Sequence, residues 1–492
     1  MKNKKGLGKI DFFMLGFGSM IGVGWTVSLN TWYQQAGGAF PAMLAFFIGT
    51  LAVIPIGLCY GEMTGALPVA GGVMAFAYRA RGPKLSFIGS WLVALAYVVL
   101  LPWEIIYISK VIGLFIPSIA KYGKLYQILG EPIFLGTLLI GVIITVLMFL
   151  INVLGSNIAG KIQTRLSSLI LIIAGILMFA SVFVADFSNL LPIYSSVRDF
   201  NHTNFFQGFI SLLVIVPFFL SGFDAIPQAI EDAHSDIKPK HISRILVLSI
   251  AAAGLFYVGI IFTSSLAMNW EYFKNLETPP LAFMFSIIYP GKLGTILYYV
   301  TLIGALSGLL STYNGMFIAS SRLLASMGNA RLLPAIFAKE NKKNIPIFSV
   351  IFCAIMTLVG PIFGEGLIRP LTSVGSTAFV LGWLITCVST WILRSKEPDL
   401  RRPIIAGRGR IIIFISMIIC SVLVLLSVIP ISPGYMGLDS LIILISWIII
   451  GMIFFFVSQN TGETITEKKR KKLIFQDVVK NLQKKKIPKR HR

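Results

Sequence analysis

Charged residues are scarce. Asp, Glu, Lys and Arg together make 13% of the 492 residues, about half the share of an ordinary soluble domain. Acids are scarcer still: 20 Asp and Glu against 42 Lys and Arg. There are only four cysteines, Cys59, Cys353, Cys387 and Cys420, all in apolar stretches. They have neither metal-ligand spacing nor the density of a disulfide framework, and read as small buried hydrophobes. The four histidines, His202, His234, His241 and His491, fall in predicted loops or the tail, so no helix is expected to present paired imidazoles one turn apart. No Gly-rich loop ends in Lys-Ser or Lys-Thr, which excludes a phosphate-cradling ATP motif. The pattern predicts no enzyme, no cofactor and no metal site.

Apolar residues are abundant at 56%. A soluble core cannot use that much apolar surface, because buried volume is limited and the exterior must stay wet. The chain reads as an all-α integral membrane protein, helical because lipid offers the backbone no hydrogen-bond partners. Twelve transmembrane helices are expected at about 12–34, 39–67, 86–118, 132–153, 163–185, 206–230, 243–268, 294–326, 346–363, 368–393, 410–430 and 439–458. The basic start, Met1 to Lys9, runs into a long apolar segment without a small-residue cleavage site, so no cleavable signal peptide is predicted.

The net charge of +22 would suggest nucleic acid in a soluble protein, but its placement argues otherwise. With the N-terminus (1–11) in the cytoplasm, 35 of the 42 Lys and Arg fall on inner segments. The other seven, Lys110, Lys121, Lys124, Arg198, Lys274, Lys292 and Arg369, lie outside or near outer ends. This asymmetry follows the positive-inside rule and predicts a multi-pass protein of the cell membrane with both termini cytoplasmic. The basic tail, 459–492, carries Lys468-Lys469-Arg470-Lys471-Lys472 just after the last span. Anionic lipid heads are its expected partner, and nucleic acid is not. The sequon Asn201-His202-Thr203 reads as a chance occurrence.

Two spans carry helix-breaking clusters. The first has Gly16, Gly18, Gly22 and Gly24 within nine residues; the sixth has Pro217, Ser221, Gly222, Asp224 and Pro227. Glycine and proline weaken helices, and irregular backbone at membrane depth is tolerated only where protein or a cavity covers it. Breaks five spans apart predict two inverted repeats, 12–185 and 206–393, followed by two extra helices at 410–458. Freed N–H groups and a positive half-helix end in the first break suit an anion, and freed carbonyls and acids suit a cation. Together they predict a zwitterion site, although Gly18 and Gly22 would also serve close helix packing.

Three carboxylates stand at membrane depth: Glu104 in Pro102-Trp103-Glu104-Ile105, Asp224 in the sixth span and Glu62 at the inner end of the second. Such groups usually mark function. Glu104 and Asp224 are expected to hold an ammonium group, a coupled proton, or both. Glu62 is expected to be structural, and Lys110 to snorkel outward. Trp25, Phe218 and Phe223 flank the breaks, with Trp25 and Phe218 as gate candidates.

Several stretches together resemble the amino acid–polyamine–organocation permeases. These are Gly18-Ser19-Met20-Ile21-Gly22-Val23-Gly24; Tyr60-Gly61-Glu62-Met63 with Pro68-Val69-Ala70-Gly71-Gly72; Phe218 to Asp224 with Glu231-Asp232; Leu332-Leu333-Pro334 with Asn341 to Pro346; and Arg394 to Pro403. The likeness runs from about residue 8 to 410. It implies a five-plus-five inverted repeat with helices 1 and 6 broken, and import or exchange of amino acids or related amines by alternating access. It places a substrate carboxylate on Ser19, Met20, Ile21, Gly22, Val23 and Gly24. It places the amine on Phe218, Ser221, Gly222 and Phe223, with Asp224 at the acidic position, and a pocket residue at the depth of Glu104. Val23, Trp25 and Glu104 depart from the usual pattern and tilt the site towards cationic character. The start of the fifth span offers only Lys161 and Arg165 at its inner end, so H+ and Na+ both stay open as the coupling ion. An amine or polyamine importer on the same fold is the alternative.

Overall fold

The computed structural model describes residues 7–22, 24–69, 71–128, 130–154, 156–196, 203–230, 233–234, 237–407, 409–460 and 465–484. Val23, Ala70, Arg198, Asn201, His202, Glu231, Asp232 and His491 lie outside these residues.

Helices dominate. The first apolar stretch is two pieces, α1 (Lys9–Ile21) and α2 (Leu29–Ala36). After α3 (Ala39–Ala66) comes a short α4 (Val73–Arg81), then the long α5 (Pro83–Phe115) and a single turn, α6 (Pro117–Ala120). A hairpin of β1 (Lys124–Ile128) and β2 (Glu131–Phe134) leads into α7 (Leu135–Leu154) and α8 (Ser156–Phe183). The sixth apolar stretch is again divided, into α9 (Phe205–Phe219) and α10 (Ala225–Gln228). Then follow α11 (Pro239–Ala267), the short α12 (Trp270–Phe273) and α13 (Pro280–Ile288), α14 (Gly291–Asn329), α15 (Ile347–Phe363), α16 (Ile368–Lys396), α17 (Ile411–Val428), α18 (Gly437–Asn460) and a tail helix α19 (Glu467–Lys484).

Nine helical stretches among the described residues are long and apolar enough to cross a membrane, with α15 and α16 counted as one stretch. The chain is a multi-pass membrane protein. The sequence does not announce α4, the hairpin or α19, because each is short or polar. The hairpin moves the start of the fourth apolar helix from 132 to Leu135. His241 sits in the first turn of α11 rather than in a loop.

Small residues let the helices approach closely. A Cβ on Gly49 would lie 2.5 Å from Val216 of α9, and one on Gly375 would lie 2.7 Å from the Phe218 ring. Large aromatics fill the centre: Trp25, Trp32, Trp103, Tyr257 and Trp383 are fully buried.

One end of the bundle is held by ion pairs. Glu62, near the end of α3, is completely buried, and takes the Arg394 guanidinium at 2.9 Å, the Arg402 Nε at 3.1 Å and the Ala406 N–H at 2.8 Å. Arg79 of α4 grips Glu397 beside it, at 2.8 and 3.0 Å. Glu62 is therefore structural, though buried in a network rather than facing an interface. At the far end of α5, Lys110 binds Glu365 at 2.7 Å, so it is paired rather than snorkelling freely.

Candidate functional site

The two interruptions meet. At the second, Gly222 has φ +127, and a Cβ there would lie 2.8 Å from the Ser19 Cβ and 3.0 Å from the Met20 nitrogen. Only glycine allows the α9–α10 turn to press its backbone against the end of α1. Pro217 removes a helical N–H in the last turn of α9, which weakens the helix where it stops. Gly24, at φ +86, opens the other side of the first break, with the Phe219 and Trp32 rings 2.8 and 2.9 Å from where its Cβ would be.

Hydroxyls hold the broken ends. Ser311 and Thr312 of α14 donate to the Gly18 carbonyl at 3.2 Å, and Thr312 also reaches the Ser19 carbonyl at 3.2 Å. The Tyr257 hydroxyl of α11 donates to the Met20 carbonyl at 2.6 Å. Ser221 turns back to the Phe218 carbonyl at 2.7 Å. Ser19, Met20 and Ile21 are all fully buried. The Ser19 hydroxyl has no hydrogen-bond partner among the described residues.

The two expected carboxylates have opposite environments. Asp224 accepts the Gly222 N–H at 3.2 Å with one oxygen and the Trp383 indole N–H at 3.3 Å with the other. It stabilises the second break, and Tyr60 and Tyr97 lie within its electrostatic reach. Glu104 is fully buried, yet neither oxygen has a partner among the described residues. Tyr107 and Tyr257 lie within its electrostatic reach. A buried polar group without a partner is rare and calls for an explanation.

The flanking aromatics take different positions. Trp25 lies over Phe256, ring centres 5.6 Å apart, against Gly304 and Gly308 of α14. Phe218 stands 5.6 Å from Trp103. Phe223 packs between Tyr60 at 5.4 Å and Trp383 at 5.2 Å. A cleft is lined by Ser28, Trp32, Tyr107 and Arg369 and by Trp103 and Phe219.

A profile of the family described as "Amino acid permease" matches residues 7–457. This chain belongs to the amino acid permease family. The permease is similar to the branched-chain amino acid permease BcaP of Bacillus subtilis, at 24% identity over 92% of this chain and 93% of that protein. It is equally similar to that organism's methylthioribose transporter, 24% identical over 92% of each. Its glutamate/serine transporter AimA is 24% identical over 81% of this chain and 73% of its own length. The permease is thus a transporter and not an enzyme.

Around its site the permease gathers residues that local pattern does not flag. Tyr257, Trp32, Tyr107 and Trp383 all border a break or one of its acids. Each is one aromatic among 60 Phe, Tyr and Trp, so only packing singles it out. Trp103 had one signal, its place beside Glu104 in a span.

Proposed function

We propose that the permease moves an amino acid across the cell membrane by alternating access about its two interrupted helices. The carrying observation is the contact of the two breaks at Gly222 and Ser19. Peptide groups from both helices then meet at one buried spot. The substrate carboxylate is assigned to the unwound backbone beyond α1, at Gly24 ahead of α2, because Ser19, Met20 and Ile21 lie in the last turn of α1, the carbonyl end of a helix, and the turn from Phe218 to Asp224 suits its ammonium group. Asp224 serves mainly to hold that turn. Glu104 contacts the substrate or carries a coupled proton, since burial favours whichever partner removes its charge.

Twelve crossings fit the architecture. Counting α15 and α16 separately, and adding α1 with α2 and α9 with α10, brings nine stretches to twelve. The repeats then span 12–185 and 206–393, and both termini face the cytoplasm. Exchange or proton coupling supplies the driving force. The tail rests on anionic lipid heads.

Uptake of labelled amino acids into proteoliposomes tests this reading. Saturable uptake with counterflow is expected. Glu104→Gln and Asp224→Asn are both expected to lower uptake at least tenfold; wild-type rates in both would end the role of the carboxylates. One observation favours the amine alternative, the unpartnered acid at Glu104. Competition between an amino acid and its decarboxylated amine separates the two.

A further inference from the structure

We propose that Glu104 receives a cationic side-chain head, so that the permease selects amino acids with a second positive charge, of the lysine, ornithine or arginine class. This deepens the reading above and rests on it, since the first break must hold the α-carboxylate.

The argument starts from charge balance. Glu104 is fully enclosed, and both of its oxygens lack a partner among the described residues. An ionised carboxylate left alone in a dry interior is strongly unfavourable, so a cation or a proton must complete it. Its own helix supplies no cation. Lys110, six residues on, is held by Glu365 at 2.7 Å, and Lys84 is exposed near the opposite end of α5. The Tyr257 hydroxyl, in reach of the carboxylate, donates to Met20 instead.

Glu104 and Asp224 meet α5 at different levels. Tyr97, seven residues earlier on the same face of α5, lies by Asp224 and the second break. Seven residues advance a helix by about 10 Å. Glu104 is therefore set further along α5 than the level of Asp224. The surroundings suit an organic cation. Trp103 packs on Phe218 and on Tyr107, with ring centres 5.6 and 4.6 Å apart. Tyr107 and Tyr257 stand in electrostatic reach of the Glu104 carboxylate, and aromatic rings attract ammonium and guanidinium groups.

The test uses full-length protein, with melting shifts in detergent and competition for uptake in proteoliposomes. The panel pairs lysine with norleucine, ornithine with norvaline, arginine with citrulline, and adds cadaverine. Each cationic member is expected to bind at least about tenfold more tightly than its neutral counterpart. Glu104→Gln should shrink that ratio to about threefold or less while the neutral members still raise its melting point. Glu104→Asp should keep part of the preference. Equal binding of charged and neutral members by wild type overturns the proposal. So does an unchanged ratio in Glu104→Gln, or neutral-substrate uptake whose pH dependence disappears in that variant, which would make Glu104 a proton carrier. Cadaverine matching lysine, with both weakened by Glu104→Gln, leaves the Glu104 pairing standing and removes the carboxylate role of the first break. Binding of no member overturns both.

Discussion

Gly222 shows how much one residue can carry. Its positive φ and its contact with Ser19 leave no room for a side chain. Gly222→Ala is expected to cost at least about 1–3 kcal/mol in backbone strain and contact and to abolish uptake. Gly291 is the matching control, at φ +69 with nothing near its Cβ position. Gly291→Ala should cost only about 1–2 kcal/mol of conformational strain and leave uptake intact. Melting midpoints and initial uptake rates of both variants measure the difference. If Gly222→Ala transports normally, the breaks need not touch. The contrast between Asp224 and Glu104 also belongs to single residues. Both are buried acids, yet one is satisfied by two N–H groups and the other by none. Their sequence neighbourhoods foretold two buried acids and not this difference.

The clamp at the end of α3 is a property of several segments. Glu62 joins α3 to Arg394 of α16 and to Arg402 and Ala406 in the loop that follows. Its partners lie more than 330 residues away along the chain. Removing one member of a buried pair leaves an uncompensated charge, at a cost of about 3–5 kcal/mol. Glu62→Ala should therefore lower the melting point markedly, measured by thermal unfolding in detergent. Arg79→Ala, at a half-exposed pair, should cost about 1 kcal/mol or less. Similar losses in both would mean that burial does not set the strength of this clamp. The tail helix is tied down nearby: Arg470 donates to the Ala330 carbonyl at 2.9 Å, and Phe475 packs on Tyr78. Lys471 holds the Glu467 carboxylate below its usual range from one turn away. Lys468, Lys469 and Lys472 stay exposed.

Across the whole molecule, the distribution of basic residues predicts which face is cytoplasmic. All four native cysteines are buried, so a cysteine introduced on the surface can report sidedness. Glu131→Cys, in the exposed hairpin, should react with an impermeant thiol reagent in intact cells. Lys342→Cys, in the exposed loop after α14, should react only after permeabilisation. The reverse pattern would invert the topology. The same scale explains a limit of hydropathy. The apolar stretch of α5 is 78% buried and that of α18 only 22%. In lipid both faces of a helix can be apolar, so no periodic stripe separates core from bilayer.

Membrane residence, the approximate extents of the apolar helices and the positions of both breaks were legible in the residue order. Each depends on covalent neighbours: long apolar runs, clustered glycines, a proline beside an acid. The family resemblance was legible for the same reason, since its motifs are short and local. The meeting of Ser19 with Gly222, the choice of Tyr257 and Trp383 as supports, the gathering of Cys59, Cys387 and Cys420 and the isolation of Glu104 were not. These join segments up to more than 300 residues apart, and they arise only when apolar helices choose which faces to press together. In a bilayer that choice rests on shape and on a few buried polar contacts rather than on hydrophobicity, so the pattern of residues along one helix does not encode it.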